Sequence, residues 1–317
     1  MIQQDEMMAA GSALESDATT TTAATPTCAV CNAGVTKVFW SDANRTIRSC
    51  ISCGLLFVFP QPHREKLHDE FQSNYFTGGR EPGKTRLELE FESWRRPMLT
   101  RITAEIRAVK PSGVLLDLGC ASGEMFEYFR EPGWKLSGVE PSAIAFARAY
   151  QRFGNDSRVE LFNGYLSDAN LEDKSFDVIT LLESLYYMPD PRYELSQLAR
   201  ILKDDGLLAI AVPGLTYQKL RHTGLISYLL HGSKCSLTSS HLFYFSDTSI
   251  AKLLQSQGLR LFDIVQLGSS AYGTPVGRFA RSAYLTFTRA LGTLTVGRIN
   301  LAPHVLYLCR KSDGISK

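Results

Sequence analysis

VLLDLGCASGEMFEYF, Val114 to Phe129, passes from an apolar run through a turn holding two glycines into the opening of a helix. Val114, Leu115 and Leu116 suit a strand buried on both faces, and Gly119 and Gly123 let backbone approach a ligand closely. A helix starting there points its first amide groups at whatever binds on the turn. The spacing is not G-x-G-x-x-G, so no pyrophosphate cradle is indicated, and D-x-G-x-x-x-G by itself also arises in ordinary turns. Context supplies the rest. The next apolar run, KLSGVE, ends at Glu140, where a nucleoside-binding α/β fold places the carboxylate that accepts ribose hydroxyls.

Beyond that point the pattern alternates. A helix is expected from Ser142 to Arg152, strands at RVELF and at FDVITLL ending near Glu183, a helix from Arg192 to Leu202, and a strand at GLLAIAVP. Strands alternating with helices imply a parallel sheet covered on both faces. From Gly214 to Phe245 an insertion carries His222, His231 and His241 with Tyr217, Tyr228 and Tyr244. It precedes the helix DTSIAKLLQSQG and the strands RLFDIVQL and LAPHVLYLCR. Ligands of such folds bind at the carboxyl ends of the strands, so the insertion is a candidate substrate cap.

Upstream, Cys28, Cys31, Cys50 and Cys53 fall as C-x2-C-x18-C-x2-C, the spacing of a closed tetrahedral zinc ribbon. Two redox pairs or disulfides are the alternative, and disulfides are unusual in a reducing compartment. A ribbon this small has little core, so metal would supply most of its folding energy. Cys120, Cys235 and Cys309 stand alone and read as small buried hydrophobes.

The 317 residues, 44% of them apolar, suffice for one α/β domain with a small appendage, and a net charge of +2 gives no strong field toward nucleic acid or membrane. Between Cys28 and Pro60 the basic residues are Lys37, Arg45 and Arg48, too few for a surface that tracks phosphates. Residues 1–27 read as a disordered leader without a basic start or apolar core, and no stretch approaches the roughly 20 apolar residues of a membrane span, so a cytoplasmic location is expected.

The glycine turn, Glu140 and the segments NGYLSDANL, FDVITLLESLYYMPDP and LKDDGLLAIAVPG together resemble the class I S-adenosylmethionine-dependent methyltransferases. The family motif D-x-G-x-G-x-G has Ala121 here in place of its middle glycine. The resemblance implies a Rossmann-like sheet of seven strands in the order 3-2-1-4-5-7-6, the last strand antiparallel, following the ribbon. It implies that Asp117, Gly119, Cys120, Ala121 and Gly123 meet the amino acid end of the cofactor, Glu140 the ribose, and Asp168, Ala169 and Leu182 the rest. Residues 61–110 would form a helical lid or linker, with Tyr75 or Phe76 over the cofactor, ahead of a catalytic domain at 111–317. HLFYFS, His241 to Ser246, is similar to a segment of the small-molecule branch near quinone biosynthesis.

Many relatives carry a histidine where this chain has Tyr187, so the groups placed to help a proton leave are His241, Tyr187 and Glu183. The acceptor expected is a small molecule: a sugar, a quinone-like ring or another secondary metabolite. An RNA acceptor gripped by the ribbon and a non-catalytic cofactor-binding scaffold are the alternatives. In residues 275–291, Val276, Phe279, Ala280, Ala283, Tyr284 and Phe287 share one helical face, with Arg278, Arg281 and Arg289 off it. Packing of that face on the domain and contact with a membrane surface or a lipid-linked substrate are the two readings.

Overall fold

The computed structural model describes residues 26–42, 45–62, 95–231, 234–235, 237, 241–268, 275–295 and 300–312. The leader up to residue 25 and the lid aromatics Tyr75 and Phe76 lie outside them.

Seven strands form the main sheet: β4 (Gly113–Leu118), β5 (Trp134–Glu140), β6 (Val159–Asn163), β7 (Phe176–Leu182), β8 (Leu202–Pro213), β10 (Leu259–Leu267) and β11 (His304–Lys311). They lie in the order β10-β11-β8-β7-β4-β5-β6. Numbered within this sheet, the order is 3-2-1-4-5-7-6, as the resemblance implies. β4 pairs parallel with β5 and β7, while β11 runs antiparallel between β8 and β10. That reversal brings His304, the first residue of β11, opposite Pro213 at the end of β8 and Leu267 at the end of β10.

Helices cover both faces. On one, α1 (Arg96–Val109) buries Met98, Leu99, Ile102 and Ile106 in a core shared with Leu115, Phe126, Phe129 and Trp134. The other face packs Leu116, Ile179 and Leu208 against Leu195 and Leu198 of α3 (Pro191–Ile201) and Ile250 and Leu254 of α6 (Asp247–Gln255). Local sequence sets where these helices begin. Ser142 caps α2 (Ala143–Phe153), Asp190 accepts from the Tyr193 amide ahead of Pro191, and Ser246 and Ser249 form a reciprocal capping box on α6.

Three expectations need correction. The segment after the glycine turn is a short 3-10 helix, Glu124–Phe129, because its apolar residues Met125, Phe126 and Phe129 are drawn into the core beneath α1. The second concerns the insertion, whose described residues form α4 (Leu215–His222), α5 (Gly224–His231) and a strand, β9 (Phe243–Tyr244), that joins the cysteine-bearing segment. β9 joins β1 (Thr36–Ser41), β2 (Thr46–Cys50) and β3 (Leu56–Val58) in a second sheet of order β1-β2-β3-β9. Ribbon and cap therefore share one sheet, and Cys28, Cys50, Cys53, Leu55 and Phe57 belong to the same core as Leu116 and Phe245.

The third concerns α7 (Pro275–Leu294), where the apolar stripe packs at Tyr284, whose hydroxyl donates to the Leu301 carbonyl at 2.6 Å, and is otherwise exposed. Thr288 and Gly292 are the buried residues, and Val276, Phe279 and Phe287 face outward. Gly292 permits a close approach to β10, since a Cβ there would lie 2.5 Å from the Gln266 side chain. No helix among the described residues is long and apolar enough to cross a membrane.

Candidate functional site

The carboxyl ends of β4, β5 and β7 converge on the glycine turn. Gly119, Ala121 and Gly123 all have positive φ, at 77°, 49° and 76°. Both glycines are needed for space as well: a Cβ at Gly119 would come within 2.9 Å of Ser184 Cβ, and one at Gly123 within 2.9 Å of the Phe153 ring. Ala121 holds the same left-handed conformation at a cost of about 1–2 kcal/mol, which its surroundings offset. Its amide donates to Glu140 Oε2 at 2.9 Å, while Glu140 Oε1 accepts from the Ser142 amide at 2.8 Å. One carboxylate thus ties the turn after β4 to the end of β5.

Burial raises Glu140 to about 7 against the opposing pull of those two amides, and raises Asp117 to about 6 against the Thr180 hydroxyl, which donates to it at 2.7 Å. Both carboxyls are poised to gain from ligand donors that favour the charged form. Cys120 is buried with its thiol pushed far up, chiefly by burial and then by neighbouring carboxylates, so it packs and does not act as a nucleophile. Leu182 and Ala169 are buried beside this region, and the exposed Asp168 accepts from the Tyr165 amide and the Ser167 hydroxyl in the loop after β6.

A second group of side chains lies at the same end of the sheet, across β4 from Glu140. Glu183, just past β7, is buried in a left-handed conformation at φ 60°, strain of the kind that gathers at functional sites. Its Oε2 accepts from the Tyr186 hydroxyl at 2.9 Å and lies 3.8 Å from His304 Nε2. His241, from the insertion, lies tilted against the Tyr186 ring with centroids 4.2 Å apart and meets Tyr187 edge-on at 5.4 Å. The three residues nominated from the sequence, Glu183, Tyr187 and His241, are therefore brought together. An imidazole stands beside Tyr187, supplied from a distant segment.

Burial drives His241 down to about 3 and His304 to about 4, aided by Arg45 and Arg95 respectively. Both rings are neutral at physiological pH and can accept a proton, with the Glu183 carboxylate beside His304 to favour the cation that forms. Tyr186, His304 and Ser184, whose hydroxyl donates to the Leu118 carbonyl at 3.0 Å, were not singled out from the sequence. The signal for His304 was present: a reversed last strand must place its first residue at the carboxyl end of its neighbours.

In the ribbon, all four cysteine sulfurs lie within 4.8 Å of one another, with Cys28 and Cys53 and likewise Cys31 and Cys50 3.6 Å apart. Thiolates about 2.3 Å from one ion would sit about 3.8 Å apart at the corners of a tetrahedron, so this donor set fits zinc. The mutual hydrogen bond draws the Cys28 thiol down to about 5 and pushes that of Cys53 up, as expected where one proton is shared.

Residues 91–264, over half of the chain, match the family described as Methyltransferase domain. The chain belongs to that family. Among its relatives, a ubiquinone/menaquinone biosynthesis C-methyltransferase of Campylobacter jejuni is 25% identical over 125 residues, 37% of this chain and 51% of that one. The 27-O-demethylrifamycin SV methyltransferase of Amycolatopsis mediterranei is 32% identical over 118 residues, 35% and 43% of the two chains. The chain spans about half the length of these curated relatives. In fold it is similar to the 1,6-didemethyltoxoflavin-N1-methyltransferase of Burkholderia thailandensis, solved with 1,6-didemethyltoxoflavin and S-adenosylhomocysteine. There the TM-score is 0.52 at 18% identity, covering 87% of this chain and 100% of that chain.

Proposed function

We propose that this protein transfers a methyl group from S-adenosylmethionine to a small-molecule acceptor and that its four-cysteine ribbon holds a structural zinc ion. The observation that carries the reading is the Glu140 carboxylate, which ties the glycine turn to the end of β5 at the same end of the sheet as the Glu183, His241 and His304 group. The matched relatives, a C-methyltransferase of ubiquinone and menaquinone biosynthesis and a 27-O-demethylrifamycin SV methyltransferase, support a small-molecule acceptor. When bound, the cofactor supplies a methyl group already activated by its sulfonium.

The protein's share of the work is to bind, orient and exclude water. The turn Gly119 to Gly123, with Asp117, would hold the amino acid end, Glu140 the ribose hydroxyls, Asp168 and Ala169 the adenine, with Cys120 and Leu182 packed alongside. Glu183, His241 and Tyr187 would orient the acceptor and take its proton, steadied by Tyr186 and His304. The decisive experiment incubates the protein with radiolabelled S-adenosylmethionine and a cell extract split into RNA, lipid and small-molecule fractions. Label is expected in the small-molecule or lipid fraction, and label in RNA would overturn the acceptor class.

Glu140→Ala is expected to weaken cofactor binding by about 1–3 kcal/mol, the cost of leaving hydroxyl donors without a charged partner, measured by calorimetry. Unchanged affinity would place the ribose elsewhere. The same carboxyl predicts a pH dependence. It titrates near 7 in the free protein, and hydroxyl donors favour its ionised form, so its pKa falls on binding. Affinity is then full above that pH and lost as pH drops through it, about tenfold weaker at pH 6 than at pH 8. Glu140→Gln should flatten the profile, and a flat profile in the unmodified protein would show that the charge is not used.

A further inference from the structure

The exposed face of α7 is continuous. Val276, Phe279, Phe287 and Leu294, 57–82% exposed, recur at helical spacing with exposed Ala280, Ala283 and Ala290 between them. The cap adds a second such face, with Leu225 and Leu229 of α5 72% and 73% exposed and Tyr228 beside them. The two helices are linked by α4, which packs on α5 and sets Tyr217 against Tyr284 of α7 at 6.0 Å.

Charge distinguishes these segments from the rest of the chain. No Asp or Glu occurs from Gly206 to Ser246, or from Ile264 to Ser312. The first of these stretches holds Lys219, Arg221 and Lys234, and the second Arg278, Arg281, Arg289, Arg298, Arg310 and Lys311, so the near-neutral total conceals two basic stretches whose compensating acids lie elsewhere in the sequence.

We propose that α5 and α7 form a docking face for an anionic lipid surface, α7 lying along it with its apolar stripe inserted among the headgroups and the exposed Arg278 and Arg289 held at headgroup level. A second copy of the chain fits less well, because pairing this face with itself would set Arg278 against its own copy, while the carboxylates beside Arg289, Glu105 and Asp263, lie on the side of α7 turned to the domain. The apolar side chains also stand out from the surface, each more than half exposed. That geometry suits a fluid phase that closes around each one. The inference does not depend on methyl transfer.

The test is co-sedimentation of the full chain with vesicles of phosphatidylcholine alone, or with about 30% phosphatidylglycerol, at about 0.1 and 0.5 M salt. Binding to the anionic vesicles is expected, at least tenfold weaker to the neutral ones and falling as salt rises. Phe279→Asp with Phe287→Asp, and separately Leu225→Asp with Leu229→Asp, should each reduce it tenfold or more with an unchanged melting temperature, since the replaced side chains touch solvent. Absence of binding, equal binding to both vesicles, or retained binding by the variants would overturn the proposal. A dimer without lipid that Phe279→Asp with Phe287→Asp splits would also overturn it, in favour of self-association.

Discussion

Cys50→Ser is expected to lower the yield of folded protein several-fold and, in the surviving fraction, to reduce methyl transfer by at least about 10²-fold while leaving cofactor affinity within about threefold. The first effect follows from the proposed zinc ion. Four thiolates are the donor set of a closed zinc site, and in small zinc modules the binding free energy, about 10–16 kcal/mol, is the folding free energy.

The second effect follows from how the ribbon is attached. β3 pairs with β9 through Leu56 opposite Tyr244, the Val58 amide donates to the Leu242 carbonyl at 2.9 Å, and the Leu242 amide donates to the Tyr186 carbonyl at 3.0 Å. Ser246 reaches the Cys53 carbonyl at 2.8 Å, Arg192 the Val30 carbonyl at 3.0 Å, and Arg45 the Leu237 carbonyl. Loosening the ribbon therefore loosens His241, whereas Glu140 and the glycine turn are held by β4 and β5. Elemental analysis should find one zinc per chain, and treatment with a chelator should reproduce the variant. A metal-free native protein, or Cys50→Ser protein with full turnover, would sink this account.

What could be read from the sequence and what could not divide along physical lines. The strand, the turn and Glu140 were legible because each is local: an apolar run, residues that tolerate positive φ, and a carboxylate at a strand end. Ala121 shows the limit of such reading, since it keeps the left-handed backbone of the glycine it replaces and needs the Glu140 carboxylate to hold its amide there. The four cysteines were legible because ligand spacing is itself a local constraint.

The union of ribbon and cap was not legible. β9 is two residues long and pairs with a strand nearly two hundred positions away, and so short a partner leaves no periodicity of its own. For His304 the signal lay in the reversed direction of the last strand and not in the residues around it. The face of α7 was open to two readings because a helical moment gives the direction of the apolar stripe and not what lies against it. The small residue Gly292 and the buried Thr288 decided which side packs.

His241→Phe is expected to reduce turnover by about 10²–10⁴-fold, the usual range for removing a general base, with cofactor affinity nearly unchanged. Phenylalanine keeps an aromatic ring to stack on Tyr186 and removes both ring nitrogens, so the substitution separates proton chemistry from packing. His241→Ala should show a similar loss in turnover and add a cavity beside Tyr186, Tyr187 and Tyr244. If the histidine only fills space, the phenylalanine variant will retain activity and the alanine variant will not.

Glu183→Gln supplies the companion measurement. Its side chain can still accept from the Tyr186 hydroxyl, but it no longer favours a cation on His304, so a fall in turnover without a rise in KM would assign the carboxylate to charge and not to position. Both imidazoles titrate well below neutrality, His241 near 3 and His304 near 4. Above about pH 5 neither should impose an inflection on kcat, and any rise in rate between pH 6 and 8 should follow Glu140 through cofactor affinity and vanish when the cofactor is saturating. An inflection in kcat near 6.5 at saturating cofactor, lost in His241→Phe, would instead show an ordinary solvated histidine and would remove burial from the mechanism.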